Sequence, residues 1–378
     1  MSLRQTEGGH PTSRDRAMQA DLLVEVSRTF ALTIPQLPPV LRKAVGNGYL
    51  LCRIADTIED DAGIDGELKF SLYEEFLNVL QTNAGEHDFG QRLDAALSRD
   101  VPSGERKLVR NLPSVLRTTH SLPGAQRQAL IRCVRIMCNG MYEFQVQKSL
   151  DGLDTVADMN RYCYVVAGVV GEMLTDLFCD HSDAIRANRT TLMDLAVCFG
   201  QGLQMTNILK DIWEDRDAGS CWLPKSVFVE TGVDLGAAIR NGQSDQLTAG
   251  IDELVSIANA HLHGALAYSC LIPKNYVSIR RFCLWAVGLA LFTLQKIYRN
   301  PGYRNGQQVK ISRRRVRAAV LSCNSVIYSN HLVRAWFDLA SFGLPLAELE
   351  QVCDPETLRT SREGLAQLIE VGRDADVH

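Results

Sequence analysis

The chain has 378 residues, a net charge of −4, 46% hydrophobic and 22% charged residues, and a pI near 6.1. That balance is ordinary for a globular protein and argues against a nucleic-acid footprint, which needs a strongly basic face. Length alone allows roughly one to three domains, and no low-complexity block or solenoid-period repeat is visible.

Taken in chain order, Met1–Arg16 is polar, with Gly8, Gly9 and Pro11. It reads as a frayed, disordered start without the apolar core of a signal peptide. From Pro38 to Asp61, Leu41, Ala44, Val45, Leu50, Ile54, Ala55 and Ile58 recur at three- and four-residue steps, predicting a helix opened by Pro38 and Pro39. Further helices are predicted over 66–82, 91–98, 105–112, 123–147, 156–178, 190–214, 244–271, 278–298, 312–343 and 354–371. Gly63, Gly66, Pro113, Pro123, Pro224, Pro273 and Asn300-Pro301-Gly302 punctuate them. The stretch 232–246 has no clear pattern and reads as a surface excursion. No Ser/Gly linker or composition shift marks a boundary, so the chain reads as all-α, one bundle over 17–345 with a C-terminal helix and tail over 346–378.

The longest apolar run, Phe282–Leu294, is 13 residues, short of the ~20 that cross a bilayer. No transmembrane segment is therefore expected. Eleven scattered cysteines form no C-x-x-C pair and no zinc-like cluster. Free thiols in a reduced, cytoplasmic setting are the simplest reading.

Two segments carry the chemistry. Asp56-Thr-Ile-Glu59-Asp60 and Asp211-Ile-Trp-Glu214-Asp215 both read D-x-x-E-D, 155 residues apart. On a helix, residues three and four apart share a face, so each trio is expected to converge. Each is flanked by apolar residues, where crowded carboxylates repel and are costly to desolvate. A hard cation relieves both costs, and Mg²⁺ prefers carboxylate oxygen together with substrate phosphate and water. Two acidic walls facing across a bundle would then clamp Mg²⁺ around a diphosphate. Arg53 and Lys210 stand beside these carboxylates and suit phosphate contact or simple charge balance. Acidic trios also mark solvated helix faces, but two matching copies in apolar settings favour the metal.

At these residues the chain resembles the squalene and phytoene synthase family, the head-to-head prenyl synthases. The matching text is Ser27-Arg28-Thr29-Phe30, Tyr49 to Asp61, Tyr162 to Gly171, Gln204 to Asp215, and Trp222-Leu-Pro224-Lys225. The resemblance implies an isoprenoid synthase fold around a central cavity. It implies Mg²⁺-bound diphosphate at Asp56, Glu59, Asp60, Asp211, Glu214 and Asp215, with Asn207 and Gln204 on the second helix. Diphosphate-contacting arginines carry over to Arg28 and Arg53. Tyr162 matches a tyrosine assisting the first half-reaction, and Phe282 an aromatic stabilising carbocations. Core packing explains Phe282 and Trp285 as well, and a buried hydrogen bond explains Tyr162; Gly168 and Gly171 suit a helix passing close to a flat prenyl chain, and close helix packing explains them too.

The implied reaction joins two farnesyl diphosphates through presqualene diphosphate, then reduces the product to squalene with NADPH. No G-x-G-x-x-G follows a predicted strand, so the resemblance places NADPH on Lys210, Lys310 and Arg313. Lys210 and Ser312 stand where squalene synthases carry arginine, and Ser220 also replaces an arginine. Phytoene or dehydrosqualene synthesis, arrest at presqualene diphosphate, and a non-catalytic helical partner protein stay open. Peripheral membrane contact for release of an apolar product and the oligomeric state are open too.

Overall fold

The computed structural model describes residues 13–27, 30–82 and 84–352. The expected frayed start over its first twelve residues, Arg28, and the helix expected over 354–371 lie outside them. Among the described residues there is no strand, only an isolated bridge pairing Leu153 with Pro224.

The chain divides into two compact units. The first, Met1–Gln145 with Asp176–His181, holds α1 (Ser13–Val26), α2 (Pro39–Asp60), α3 (Gly66–Thr82), α4 (Glu86–Ala96), α5 (Ser103–Arg110), α6 (Leu112–His120) and α7 (Gly124–Val146). Pro39 opens α2, where its missing N–H costs nothing. Leu41, Ala44, Leu50, Leu51, Ile54, Ala55 and Ile58 are fully buried along it. Buried Asn47 donates to Thr119 Oγ1 at 2.6 Å and to the Val115 carbonyl at 3.2 Å, tying α2 to α6. Asp61 ends α2, its carboxylate accepting from the amides of Gly63 (2.7 Å) and Ser98 (2.8 Å). The acidic residue after the first motif is therefore structural. Pro113, read in the sequence only as a break, sits in the first turn of α6, which the sequence reading missed.

The second unit, Val146–Thr175 with Ser182–His378, begins with α8 (Val156–Cys163), a π-turn over Tyr164–Gly168, and α9 (Val169–His181). It continues with α10 (Arg189–Asp217), α11 (Thr248–Leu271), α12 (Val277–Tyr298), α13 (Arg313–Val326) and α14 (Asn330–Ser341). Glycines set the α8–α9 crossing over α10. A Cβ on Gly200 would collide with the Ala167 carbonyl, and one on Gly171 with that of Ala196. Of the two readings of Gly171, close helix packing is the one seen here.

Two expectations are corrected. Helix 312–343 is two helices, because Ser329 caps α14 through the Leu332 amide and buried Arg280 takes the Ile327 carbonyl at 3.0 Å. The segment 232–246 is no mere surface excursion. Asp234 caps a short helix, Leu235–Arg240, that buries Leu235, Ala238 and Ile239. The 13-residue apolar run lies within the helix expected over 278–298, here Val277–Tyr298. Val156–His181 and Val277–Tyr298 are both long and apolar enough to cross a membrane, with 67% and 72% of their most apolar windows buried inside the fold. Burial in the core accounts for that hydropathy. Among the described residues, ten cysteines are buried free thiols.

Candidate active site

In the first unit, α2 carries Arg53, Asp56, Glu59 and Asp60 over its last two turns. Arg53 holds Glu105 of α5 at 2.5 Å and Asp56 at 3.5 Å. Its Nε is buried without a protein partner. Burial raises Asp56 from 3.8 to about 7, the Arg53 charge opposing and Asp60 reinforcing the shift. Glu59 rises from 4.5 to about 8, again through burial first and then the neighbouring Asp60 and Asp56 charges. Its Oε1 accepts from Gln145 of α7 at 3.2 Å, and buried Lys69 donates to its backbone carbonyl at 2.5 Å. Asp60 is exposed. Glu105 and Gln145 were missed in the sequence. They lie 52 and 86 residues from the groups they hold, and no local pattern announces such pairings.

In the second unit, α10 carries Asn207, Lys210, Asp211, Glu214 and Asp215. The regular-helix expectation fails here: Asp211 leaves helical geometry at φ −104°, ψ 16°. The Tyr303 hydroxyl donates to the Leu209 carbonyl, and Trp213 Nε1 donates to the Tyr303 carbonyl at 2.7 Å. A side chain inserted into the helical ladder is a recognised cause of a kink. Lys210 Nζ bridges Asp211 (2.9 Å) and Asn207 Oδ1 (3.2 Å). Burial raises the Asp211 carboxyl, while Lys210 and then Lys310 draw it back. Glu214 accepts from the Gly306 amide at 2.8 Å. A Cβ on Gly306 would come within 3.1 Å of both Asp211 Oδ1 and Glu214 Oε1, so a side chain there would press on both carboxylates.

Two departures from the family pattern have local structural reasons. Gly219 (φ +79°) and Ser220 close α10 as a Schellman cap, their amides bonding Arg216 and Asp215 carbonyls at 2.8 and 2.9 Å. Ser312 caps α13, accepting from the Arg315 amide at 3.3 Å. Lys310 and Arg313 flank it and are exposed. Tyr162 is buried and stacked on Trp222, centroids 4.1 Å apart and planes at 9°. Phe282 is buried on α12. Trp285 nearby donates to Asn324 at 3.2 Å, an anchor of α12 to α13.

Among the described residues, no three His, Cys, Asp or Glu side chains gather closely enough to hold a metal alone. Asp56, Glu59, Asp211 and Glu214 each face a donor, from Arg53, Gln145, Lys210 and the Gly306 amide respectively. That arrangement still fits Mg²⁺, which uses one or two carboxylates and completes its shell with water and substrate phosphate. The raised Asp56 and Glu59 carboxyls are hard oxygen donors whose charged form a cation stabilises.

A model of the squalene/phytoene synthase family matches residues 23–315. Squalene synthase of Eremothecium gossypii is 30% identical, the match covering 74% of this chain and 61% of that protein. Squalene synthase of Candida albicans is 31% identical, over 76% of this chain and 62% of that protein. The chain thus spans about three fifths of the length of these relatives. A solved TcSQS structure with a ligand superposes with a TM-score of 0.71 at 22% identity, covering 93% of this chain and 99% of that one. The likeness shows the shared all-α isoprenoid synthase fold. By the match across residues 23–315, the chain belongs to the squalene/phytoene synthase family.

Proposed function

We propose that the protein is a prenyltransferase that joins two farnesyl diphosphates head to head through presqualene diphosphate and reduces the product to squalene with NADPH. The observation carrying this reading is the Arg53–Asp56–Glu59 cluster. Two carboxyls titrate near neutrality beside a cation with a buried, unmet N–H, within the matched segment. A diphosphate oxygen answers the Arg53 Nε, since a buried unmet donor costs about 1–3 kcal/mol.

Mg²⁺, when bound by Asp56, Glu59 and Asp60 and by Asp211, Glu214 and Asp215, would supply Lewis-acid neutralisation of the diphosphate leaving group. Arg53 orients the diphosphate with bidentate geometry that a lysine lacks. Arg28 takes a second diphosphate contact, and Asn207 fixes the Lys210 ammonium. Tyr162, its ring held flat by Trp222, assists proton removal in the first half-reaction. The Phe282 ring face stabilises positive charge without a covalent bond. The reaction would need a dry site, since water would quench the cation to an alcohol. NADPH would be held through its phosphates by Lys210, Lys310 and Arg313, and would supply hydride.

A second reading has one specific support. Ser312 caps a helix where a cation is expected, which weakens the NADPH phosphate site and favours release of presqualene diphosphate or dehydrosqualene. Incubation with farnesyl diphosphate and Mg²⁺, with and without NADPH, followed by lipid extraction, tests both. Squalene formed only with NADPH supports the first reading; presqualene diphosphate under both conditions supports the second. Phytoene from geranylgeranyl diphosphate overturns the substrate assignment. No pyrophosphate release under any condition overturns the enzyme reading.

A further inference from the structure

We propose that the outer face of α13 and α14 docks on an anionic lipid surface. Of the thirteen large hydrophobic residues exposed among the described residues, seven fall within residues 321–349. A soluble monomer seldom concentrates exposed apolar groups in this way. Leu321, Leu339 and Phe342 are 69%, 78% and 81% exposed, and Leu332 is 54% exposed.

Helical spacing puts these residues on outward stripes. Arg314, Arg317 and Leu321 lie at i, i+3 and i+7 on α13, and Leu332 and Leu339 at i and i+7 on α14. Both inward faces are occupied. Ala319 and Cys323 of α13, and Val333 and Phe337 of α14, are fully buried. Cys323 and Trp336 pack over Gly288 of α12, and Phe337 meets the ring of His263 on α11 edge-on at 4.7 Å. The stripes therefore face away from the core of their own unit.

Charge selects the partner. Residues 313–349 carry five arginines against Asp338 and Glu348, in a chain whose net charge is −4. Arginine beside exposed leucine and phenylalanine is the pattern of a helix lying in a membrane interface. Acidic headgroups contribute about 1 kcal/mol per basic residue near the surface, or about fivefold in partitioning.

Flotation of the full-length protein with phosphatidylcholine vesicles, with and without phosphatidylglycerol, tests the proposal. The protein is expected to float with the phosphatidylglycerol vesicles and to be released by salt. R314Q/R317Q should weaken partitioning by about 25-fold, fivefold per arginine, and L339S/F342S should abolish it. Both variants should keep far-UV helicity and farnesyl diphosphate turnover in detergent, which separates loss of docking from failure of the catalytic reading. Three outcomes would overturn the proposal: no flotation with either vesicle, equal flotation without anionic lipid, or wild-type flotation by both variants. A concentration-dependent dimer abolished by L339S, without lipid binding, would assign the face to a second copy instead.

Discussion

At the scale of single residues, the decisive feature is that Asp56 and Glu59 bind protons more tightly than free carboxyls do. Their folded values, about 7 and about 8, lie above the ordinary 3.8 and 4.5. A raised folded value means a stabilising contribution that is complete below the unfolded value and lost as pH rises through the folded one. The metal-free protein should therefore lose Tm progressively from about pH 4 up to about 7 and 8 and level off above, by thermal melts in buffers of constant ionic strength. Mg²⁺ competes with those protons, so its stabilising shift should grow with pH. A Mg²⁺ shift that is equal, or larger, at acidic pH would remove these carboxyls from the metal site. Arg53 gives a second test. Arg53→Met leaves buried Glu105 without its partner and should cost roughly 1–3 kcal/mol in urea melts. Arg53→Met with Glu105→Leu should cost less than the two single changes summed, since the pair is lost together. Strict additivity would show that the 2.5 Å contact contributes nothing.

At the scale of elements, backbone approach and backbone distortion do the positioning. Gly200→Ala forces a methyl into the Ala167 carbonyl and should cost about 1–3 kcal/mol. Gly124→Ala, with nothing within 4 Å of the added carbon, should stay within about 0.5 kcal/mol. Equal Tm losses would contradict the crossing described here. The Asp211 kink depends on Tyr303, so Tyr303→Phe should lower kcat severalfold while costing only about 1 kcal/mol of stability. Unchanged kcat would make the kink irrelevant to turnover. The same elements show where sequence reasoning stops. The helix under Asp56 was legible because its period, its opening prolines and its burial agree. The break at 327–329 was not, because it depends on Arg280, about 50 residues earlier, claiming the Ile327 carbonyl. The kink was hidden for the same reason, since its cause lies in a side chain 94 residues away from Leu209.

At the scale of the molecule, the D-x-x-E-D pair and the five motif blocks were enough to identify the family, which the match over residues 23–315 bears out. Motifs are local, and helices keep local residues together. The roles of Ser220 and Ser312 were not legible, since a lost arginine looks like a lost cation until the capping bonds are seen. Neither was the exposed apolar face of α13 and α14, because exposure depends on which stripe the core leaves uncovered.

Under the proposed function, each carboxylate turn is required for Mg²⁺-dependent ionisation of farnesyl diphosphate. Pyrophosphate release from farnesyl diphosphate tests it most directly, comparing the wild-type protein with Asp56→Ala and Asp215→Ala, each with Mg²⁺ and with chelator. Release by the wild type is expected only with Mg²⁺, with a loss of at least about 100-fold in each variant, as for removal of one preorganised transition-state stabiliser, and with far-UV helicity intact. Wild-type release in chelator, or release by either folded variant at the wild-type rate, would contradict it.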